Sequence, residues 1–419
     1  MKRILMLLVF LILIGGGAGT RAAERSPLRF TIWSGNQAHL DLLNGIATAY
    51  KRTHPSVDVR FDVVPFGDYV QKITIQIAAG TPPDLGWLLE TSAPTFINAG
   101  TVVDVGRILR RDQAYGFDDF SKRALQLWVR QDAVFGVPFS TSPFITFFNR
   151  DLFKAARLTA PDQLAARGAW TWETLRRSAY AIARSAGQGA FGFESVDGQG
   201  YDVRVWHTLI PIIRAYGGDA WEGGQCRFAS AEAVRAVQFY HDMIFKDRSV
   251  VPPGEQGDFF SGRAAMTMNQ LSRVSKLEGA KFAWGVAPLP SGPAGQVAVI
   301  GQAAIVVFAK SPNRDVASDF LKFMTNTENT AKMAKFFPPA RDSVLKSQEF
   351  LTANPLVSPT QMKIVADGIL TGTVLPNHAN FPRMDAGARP VFDRLWRADA
   401  DVPAVLKGVC DVLQPLLKD

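Results

Sequence analysis

Residues 28 to 89 switch repeatedly between two hydrophobic periods. In LRFTIW, Leu28, Phe30 and Ile32 share one side, with Arg29, Thr31 and Trp33 on the other, the period of a strand. Leu40, Leu43, Ala47 and Tyr50 then recur at helical spacing until Pro55 stops the run. VDVRFDVV at 57–64 returns to a period of two. Asp68, with Gln71 three residues on, predicts a capped helix carrying Val70, Ile73 and Ile77 and closed by Gly80. DLGWLL at 84–89 is a third strand. Strand, helix, strand, helix, strand implies parallel strands joined by crossover helices. In such open sheets ligands sit beyond the carboxyl ends of the strands. Residues 33–36, 65–66 and 90–92 fall at those ends, so Glu90 is placed at the wall of a cleft.

Further along, VFGVPFSTSPFITFFNRDLF (134–153) is rich in aromatic and β-branched residues, with Pro138 and Pro143 expected as breaks. Helices are expected after Thr171 and ending at Gly187, over 230–246 behind a Ser230 cap, over 315–325 and over 403–418. Strands are expected at 264–269 and 303–309, and LPSGPAGQ (289–296) is the most linker-like run. No internal repeat or low-complexity segment is present.

The chain opens with Lys2 and Arg3, an apolar run from Ile4 to Ile14, and small residues through Ala22 and Ala23. This is the pattern of a secretory signal peptide over residues 1–23, too short to span a bilayer comfortably; an uncleaved anchor is the alternative. No cysteine lies near the cut to carry a lipid, so a soluble exported protein is expected. About 395 residues remain, enough for two domains. Removing Lys2, Arg3 and Arg21 takes the net charge from +8 to +5, with no polybasic run, too mild and dispersed for a nucleic-acid partner. Cys226 and Cys410 read as buried free thiols, a disulfide being the alternative that an oxidising compartment permits.

GQGAFG matches G-x-G-x-x-G at Gly187, Gly189 and Gly192. It follows a helix and leads into a strand, the reverse of a dinucleotide site, and reads as a turn. No phosphate-cradling loop, no metal-ligand spacing and no nucleophile motif occurs, and the histidines at 39, 54, 207, 241 and 378 are scattered. Cofactor, metal and catalytic residues therefore have no support. Aromatics beside hydrogen-bonding residues do recur in turn contexts: IWSGN, VPFGDY, DGQGYDVRVW and GGDAW. Flat platforms with planar polar neighbours suit sugar rings in a preformed cleft. Core packing is the alternative for Trp33, Trp206 and Trp221.

The order of LRFTIWSG, GTPPDLGWL, VFGVPFSTSPFITFFNRDLF, TWETLRRSAYAIA, FFSGRAAMTMNQ, WGVAPLPSGP, IGQAAIVVFAKSPNRDVASDFLKFMTN and FPPARDSV resembles the extracellular solute-binding proteins of ABC importers, in the sugar-binding branch that includes maltose-binding protein. The resemblance covers nearly the whole mature chain. It implies a two-lobe α/β periplasmic binding protein fold, each lobe a mostly parallel sheet flanked by helices, with the ligand cleft between. The lobes would be 24–139 plus 288–327 and 140–287 plus 328–419, with crossings near 139–142, near 288–290 and after Met324. The function implied is binding of a mono- or oligosaccharide by a non-enzymatic, monomeric periplasmic protein that delivers it to a membrane permease. Ligand contacts would fall on Trp33, Ser34, Asn36, Phe66, Glu90, Thr91, Ser142, Tyr201, Trp206, Asn269, Gly301, Gln302 and Arg341, with His378 and Arg383 as further candidates. Gln270 and Leu271 stand where many relatives have a glycine and an aromatic, which removes the usual stacking there. One rival is a receptor for a phosphorylated or acidic solute such as glycerol phosphate, paired to Arg204, Arg341 and Arg383. Others are an exported polysaccharide-acting enzyme and a sensor subunit reporting to a membrane kinase.

Overall fold

The structure is a computed structural model that describes residues 27–185, 190–195, 203–252, 255 and 257–418, with backbone only at 203 and 204. The leader, Tyr201, Gly187 and Gly189 lie outside the described residues, as does the Arg204 side chain. No helix among the described residues is long and apolar enough to cross a membrane.

The opening alternation folds as its periods dictate. Strand Leu28–Ile32 pairs in parallel with the edge strand Val59–Val63 on one side and with Leu85–Leu89 on the other. Helices Gln37–Thr53 and Tyr69–Ala78 make the crossovers. Asp68 precedes the second of these with a helical backbone and no side-chain cap hydrogen bond. A short 3-10 turn, Phe66–Asp68, already leads the chain into that helix, so the expected capping box does not form. The sheet continues through Val299–Val307, antiparallel to Leu85–Leu89, and on to Val137–Pro143 and Thr373–Val374. Pro138 and Pro143 sit inside Val137–Pro143 rather than breaking it. That strand pairs with the sheet only through Val299–Val307, and an edge strand tolerates residues that cannot donate to a second neighbour.

A second sheet of three strands lies beyond it, with Ile145–Asn149 between Met266–Asn269 and Trp284–Ala287. Both pairings are antiparallel, which departs from the mostly parallel sheet expected in each lobe; the isolated bridges Phe191↔Ala264, Glu194↔Thr267, Phe193↔Val250 and Thr171↔Ser291 are parallel. Alternate side chains of this sheet feed two cores. Phe148, Met266 and Met268 join helices Trp172–Ser185, Ala231–Phe245 and Val402–Leu416, while Ile145, Phe147 and Val286 pack with Pro359–Thr371. Gly192 lets its strand approach the helix, since a Cβ there would stand 2.0 Å from the Ala179 carbonyl.

The first lobe has its own core, built from Leu28 through Phe139 and from Ala303 through Ala340. The chain leaves it at Phe139 and enters the second core at Phe144, and returns between Val299 and Ala303. The first core runs past Met324, where the sequence placed the third crossing, because Met333, Phe336 and Phe337 still pack into it. Two strands therefore run side by side between the lobes, in register at Ser142↔Gly301.

Cys226 and Cys410 are bonded, with Cα atoms 5.4 Å apart, against the expectation of free thiols. The pairing joins hairpin 221–226 to the carboxyl-terminal helix across 184 residues. Gln414 reinforces it: its Oε1 accepts from the Cys226 N–H and its Nε2 donates to the Gly224 carbonyl.

Candidate functional site

The carboxyl end of strand Leu28–Ile32 delivers Trp33, half-buried, into a nest of rings. Trp33 meets Trp87, Tyr69 and Phe66 edge-on, with centroids 4.9, 5.1 and 5.8 Å away. The Tyr69 hydroxyl donates to the Thr31 carbonyl and accepts from the Trp87 N–H, so it ties the first and third strands together beneath the nest. Phe139 stacks on Trp87 at 4.7 Å, and Phe337 closes the edge.

Between this wall and the second lobe lies a cavity of about 420 Å³, lined by Trp33, Ser34, Asn36, His39 and Phe66 from one lobe and Phe144, His207, Asn269, Gln270, Ser272, Arg273 and Lys276 from the other. A narrower floor of about 70 Å³ continues beneath it to Trp87, Glu90, Phe139, Gly301 and Gln302. Asn36 is held as the cap of helix Gln37–Thr53 by the His39 N–H. Asn269 donates to Thr267 Oγ1 at 3.0 Å.

Gln270 is tied to the crossing strands. Its Nε2 donates to the carbonyls of Ser142 and Gly301 at 3.0 and 3.3 Å, spanning both crossing strands. This requires Gly301, where a Cβ would come within 2.3 Å of that nitrogen.

Glu90 is buried at the floor, and its Oε2 accepts from the Gln302 N–H at 2.8 Å. Burial pushes its pKa from 4.5 up to about 8, opposed by its own N–H and that of Gln302. At neutral pH the side chain is a neutral acid, able to donate one hydrogen bond as well as accept. Gln302 is locked in turn, its Oε1 accepting from Trp128 Nε1 at 2.8 Å and its Nε2 donating to Thr141 Oγ1.

The raised pKa has a stability consequence. Above pH 4.5 the unfolded carboxyl ionises while the folded one stays protonated until about 8. Stability therefore falls as pH rises through that window, by up to about 1.4 kcal/mol per unit, and levels off above it. Glu90→Gln should abolish this fall. Denaturant midpoints of both proteins from pH 5 to 8 check it, the difference isolating Glu90 from the buried histidines; parallel curves would mean that Glu90 is already ionised in the fold.

Of the thirteen residues expected at the site, the cavity and its floor gather Trp33, Ser34, Asn36, Phe66, Glu90, Asn269, Gly301 and Gln302. Thr91 and Ser142 are buried behind the wall. Tyr201 lies outside the described residues. Trp206 belongs to the core of the second lobe, 2% exposed, ringed by Trp221, Phe228 and Phe381 with its Nε1 donating to Asp385. Arg341 is a correction of the same kind: it is fully buried, with its guanidinium donating to the carbonyls of Tyr115, Gly116 and Thr325. Both side chains have their polar atoms committed inside a lobe, which leaves nothing to offer a ligand. His378 packs near Trp221, and Arg383 is exposed on helix Phe381–Phe392. The sequence reading missed His39, His207, Gln270, Ser272, Arg273 and Lys276; the first two carried only the weak signal of standing near IWSGN and in DGQGYDVRVWH.

The family model described as bacterial extracellular solute-binding protein matches residues 37–331. The chain belongs to that family. This solute-binding protein is 26% identical over 342 residues to the sn-glycerol-3-phosphate-binding periplasmic protein UgpB of Pectobacterium atrosepticum, covering 75% of this chain and 72% of the relative. It is 20% identical over 407 residues to the maltotriose-binding protein of Pyrococcus abyssi, covering 93% and 82%. Its fold matches the ABC substrate-binding protein Lmo0181 of Listeria monocytogenes, solved in complex with cycloalternan, with a TM-score of 0.82 at 19% identity over 93% of this chain and 98% of that one.

Proposed function

We propose that this solute-binding protein is the receptor subunit of an ABC importer and holds a mono- or oligosaccharide in the interlobe cavity. The observation that carries the reading is the composition of that cavity. Trp33, Phe66, Phe144 and Phe337 offer ring faces, and Ser34, Asn36, Asn269 and Gln270 offer uncharged hydrogen-bonding groups, from both lobes at once. Sugar rings need both kinds of surface. A solute that touches both lobes only when they meet shifts the open–closed equilibrium by its differential affinity. The hinge of that motion is the paired strands Val137–Pro143 and Val299–Val307. The closed form is the species that a membrane permease would recognise, after export to the periplasm and removal of the leader near Ala23. A relative named for maltotriose and a fold neighbour solved with cycloalternan support a saccharide.

One observation favours a second reading. Arg273 and Lys276 line the cavity, and a neutral Glu90 adds no negative charge, so a phosphorylated or acidic polyol would be held by charge-assisted hydrogen bonds. The relative named for sn-glycerol 3-phosphate points the same way. A thermal-shift panel of maltose, maltotriose, D-glucose and sn-glycerol 3-phosphate separates them. A ligand at a hundred times its Kd stabilises the fold by about 2.7 kcal/mol. The saccharide reading expects a neutral sugar to raise the midpoint; a rise with glycerol 3-phosphate alone, suppressed by salt, replaces it with the second.

A further inference from the structure

A chain of hydrogen bonds crosses the mouth of the cavity. His39, on helix Gln37–Thr53, is 5% exposed and lies between the rings of Phe336 and Phe337, at 4.7 and 4.9 Å. Its Nε2 is 3.3 Å from the carbonyl of Ser272 in the opposite lobe, with Ser275 Oγ at 3.4 Å. A carbonyl only accepts, so Nε2 carries the proton. Nδ1 is then the acceptor, and Ser34 Oγ, 2.7 Å away, must donate to it. The Asn36 N–H reaches the same Oγ at 3.4 Å. One lone pair of the Ser34 hydroxyl is left for a donor in the cavity that Ser34 lines. A separate contact also joins the lobes, from Thr95 Oγ1 to the Ala379 carbonyl at 2.7 Å.

We propose that His39 is a positioning residue: with the lobes together it bridges them through Ser272 and fixes Ser34 as an acceptor for a solute hydroxyl, so that closure and recognition depend on one neutral ring. The proposal rests on reading the cavity as the solute site. It also sets the sign of a pH response. Arg273 and Lys276 on Leu271–Leu277, His207 across the cavity, Glu90 at the floor, Lys335 beside Phe336 and Asp41 on the same helix are the ionisable groups around it. Burial holds the ring at about 4 despite the Ser272 carbonyl, and Arg273 lowers it further. Parting the lobes removes Ser272, Ser275 and Arg273 from the ring and exposes that side of it, which moves its pKa back towards 6.5, while Phe336 and Phe337 of its own lobe stay against it. The closed form therefore binds fewer protons: closure is complete above about 6.5 and weakens as pH falls towards 4. His207, also held at about 4 by burial, adds a second proton to the response. Glu90, raised to about 8 by burial, stays protonated through this window while the lobes are together.

The test is calorimetric titration of maltose at pH 7.5, 6.5 and 5.5, with small-angle scattering on the same samples and on unliganded protein at pH 7.5 and 4.5. The wild type should lose affinity severalfold between pH 7.5 and 5.5, up to about tenfold for each histidine that opening returns fully to water. His39→Ala and Ser34→Ala should each weaken binding about tenfold at pH 7.5, and the double variant no further. His39→Gln, which keeps a donor and an acceptor, should recover part of the affinity, with the pH response reduced to the share that His207 carries. The unliganded melting midpoint of each variant, measured alongside, separates positioning from a loss of fold. Additive losses, or a wild-type pH response retained in both His39 variants, would overturn the proposal. If maltose does not bind the wild type, the saccharide reading is what has failed, and the unliganded scattering decides: a radius of gyration that grows in acid for the wild type and not for His39→Ala supports the bridge, and equal behaviour in both overturns it.

Discussion

Arg341→Ala lowers the stability of the folded chain by roughly 3–5 kcal/mol and leaves solute affinity unchanged in the protein that still folds. The guanidinium is fully buried and donates to three backbone carbonyls, Thr325 at 2.9, Tyr115 at 2.8 and Gly116 at 3.0 Å. It also pairs with Asp119 Oδ2 at 3.4 Å and lies over the rings of Phe120 and Tyr115 at 4.1 and 4.6 Å. Truncation strands those carbonyls where water cannot replace the donor, and opens a cavity between two aromatic rings. Lysine is no substitute, because one ammonium cannot present the same fork to three carbonyls. Denaturant titration of the alanine and lysine variants, with a solute titration on each, checks the claim. A variant that keeps its stability and loses solute binding would return Arg341 to the cleft.

Reduction of Cys226–Cys410, or its double serine replacement, is expected to destabilise the second lobe by about 2–5 kcal/mol. The bond closes a loop of 184 residues, for which the chain-entropy model gives about 5 kcal/mol, an upper figure. What it holds is specific: hairpin 221–226 against helix Val402–Leu416, whose Val405, Leu406, Val409 and Leu413 complete the second core. Equilibrium unfolding with and without reductant, followed by hydrogen exchange at the carboxyl-terminal helix, measures it. An unchanged midpoint would show that the Gln414 bridge and core contacts suffice without the bond.

The half of the fold built from local periodicity was legible. Leu28, Phe30 and Ile32 are buried as their alternation requires, and Glu90 sits at the end of its strand on the cavity floor. What sequence could not reveal were properties made by distant partners. Trp206 and Arg341 look like ligand-binding residues because they combine a large side chain with a polar tip. Their tips are instead spent on Asp385 and on three carbonyls, one of them 226 positions away. The disulfide was hidden for the same reason, since a spacing of 184 carries no information about proximity. His39 and Gln270 were missed because their partners are distant in sequence: the Ser272 carbonyl for His39 and the Ser142 carbonyl for Gln270.

The central claim is that solute is held against the Trp33 nest between the lobes. Calorimetric titration of the panel's best ligand into the wild type, Trp33→Ala and Trp221→Ala tests it most directly. One site per chain is expected, with a loss of at least about 2 kcal/mol, some thirtyfold, in Trp33→Ala and none in Trp221→Ala, whose ring packs on Trp206 away from the cavity. Undiminished binding by Trp33→Ala, or a loss confined to Trp221→Ala, would contradict it.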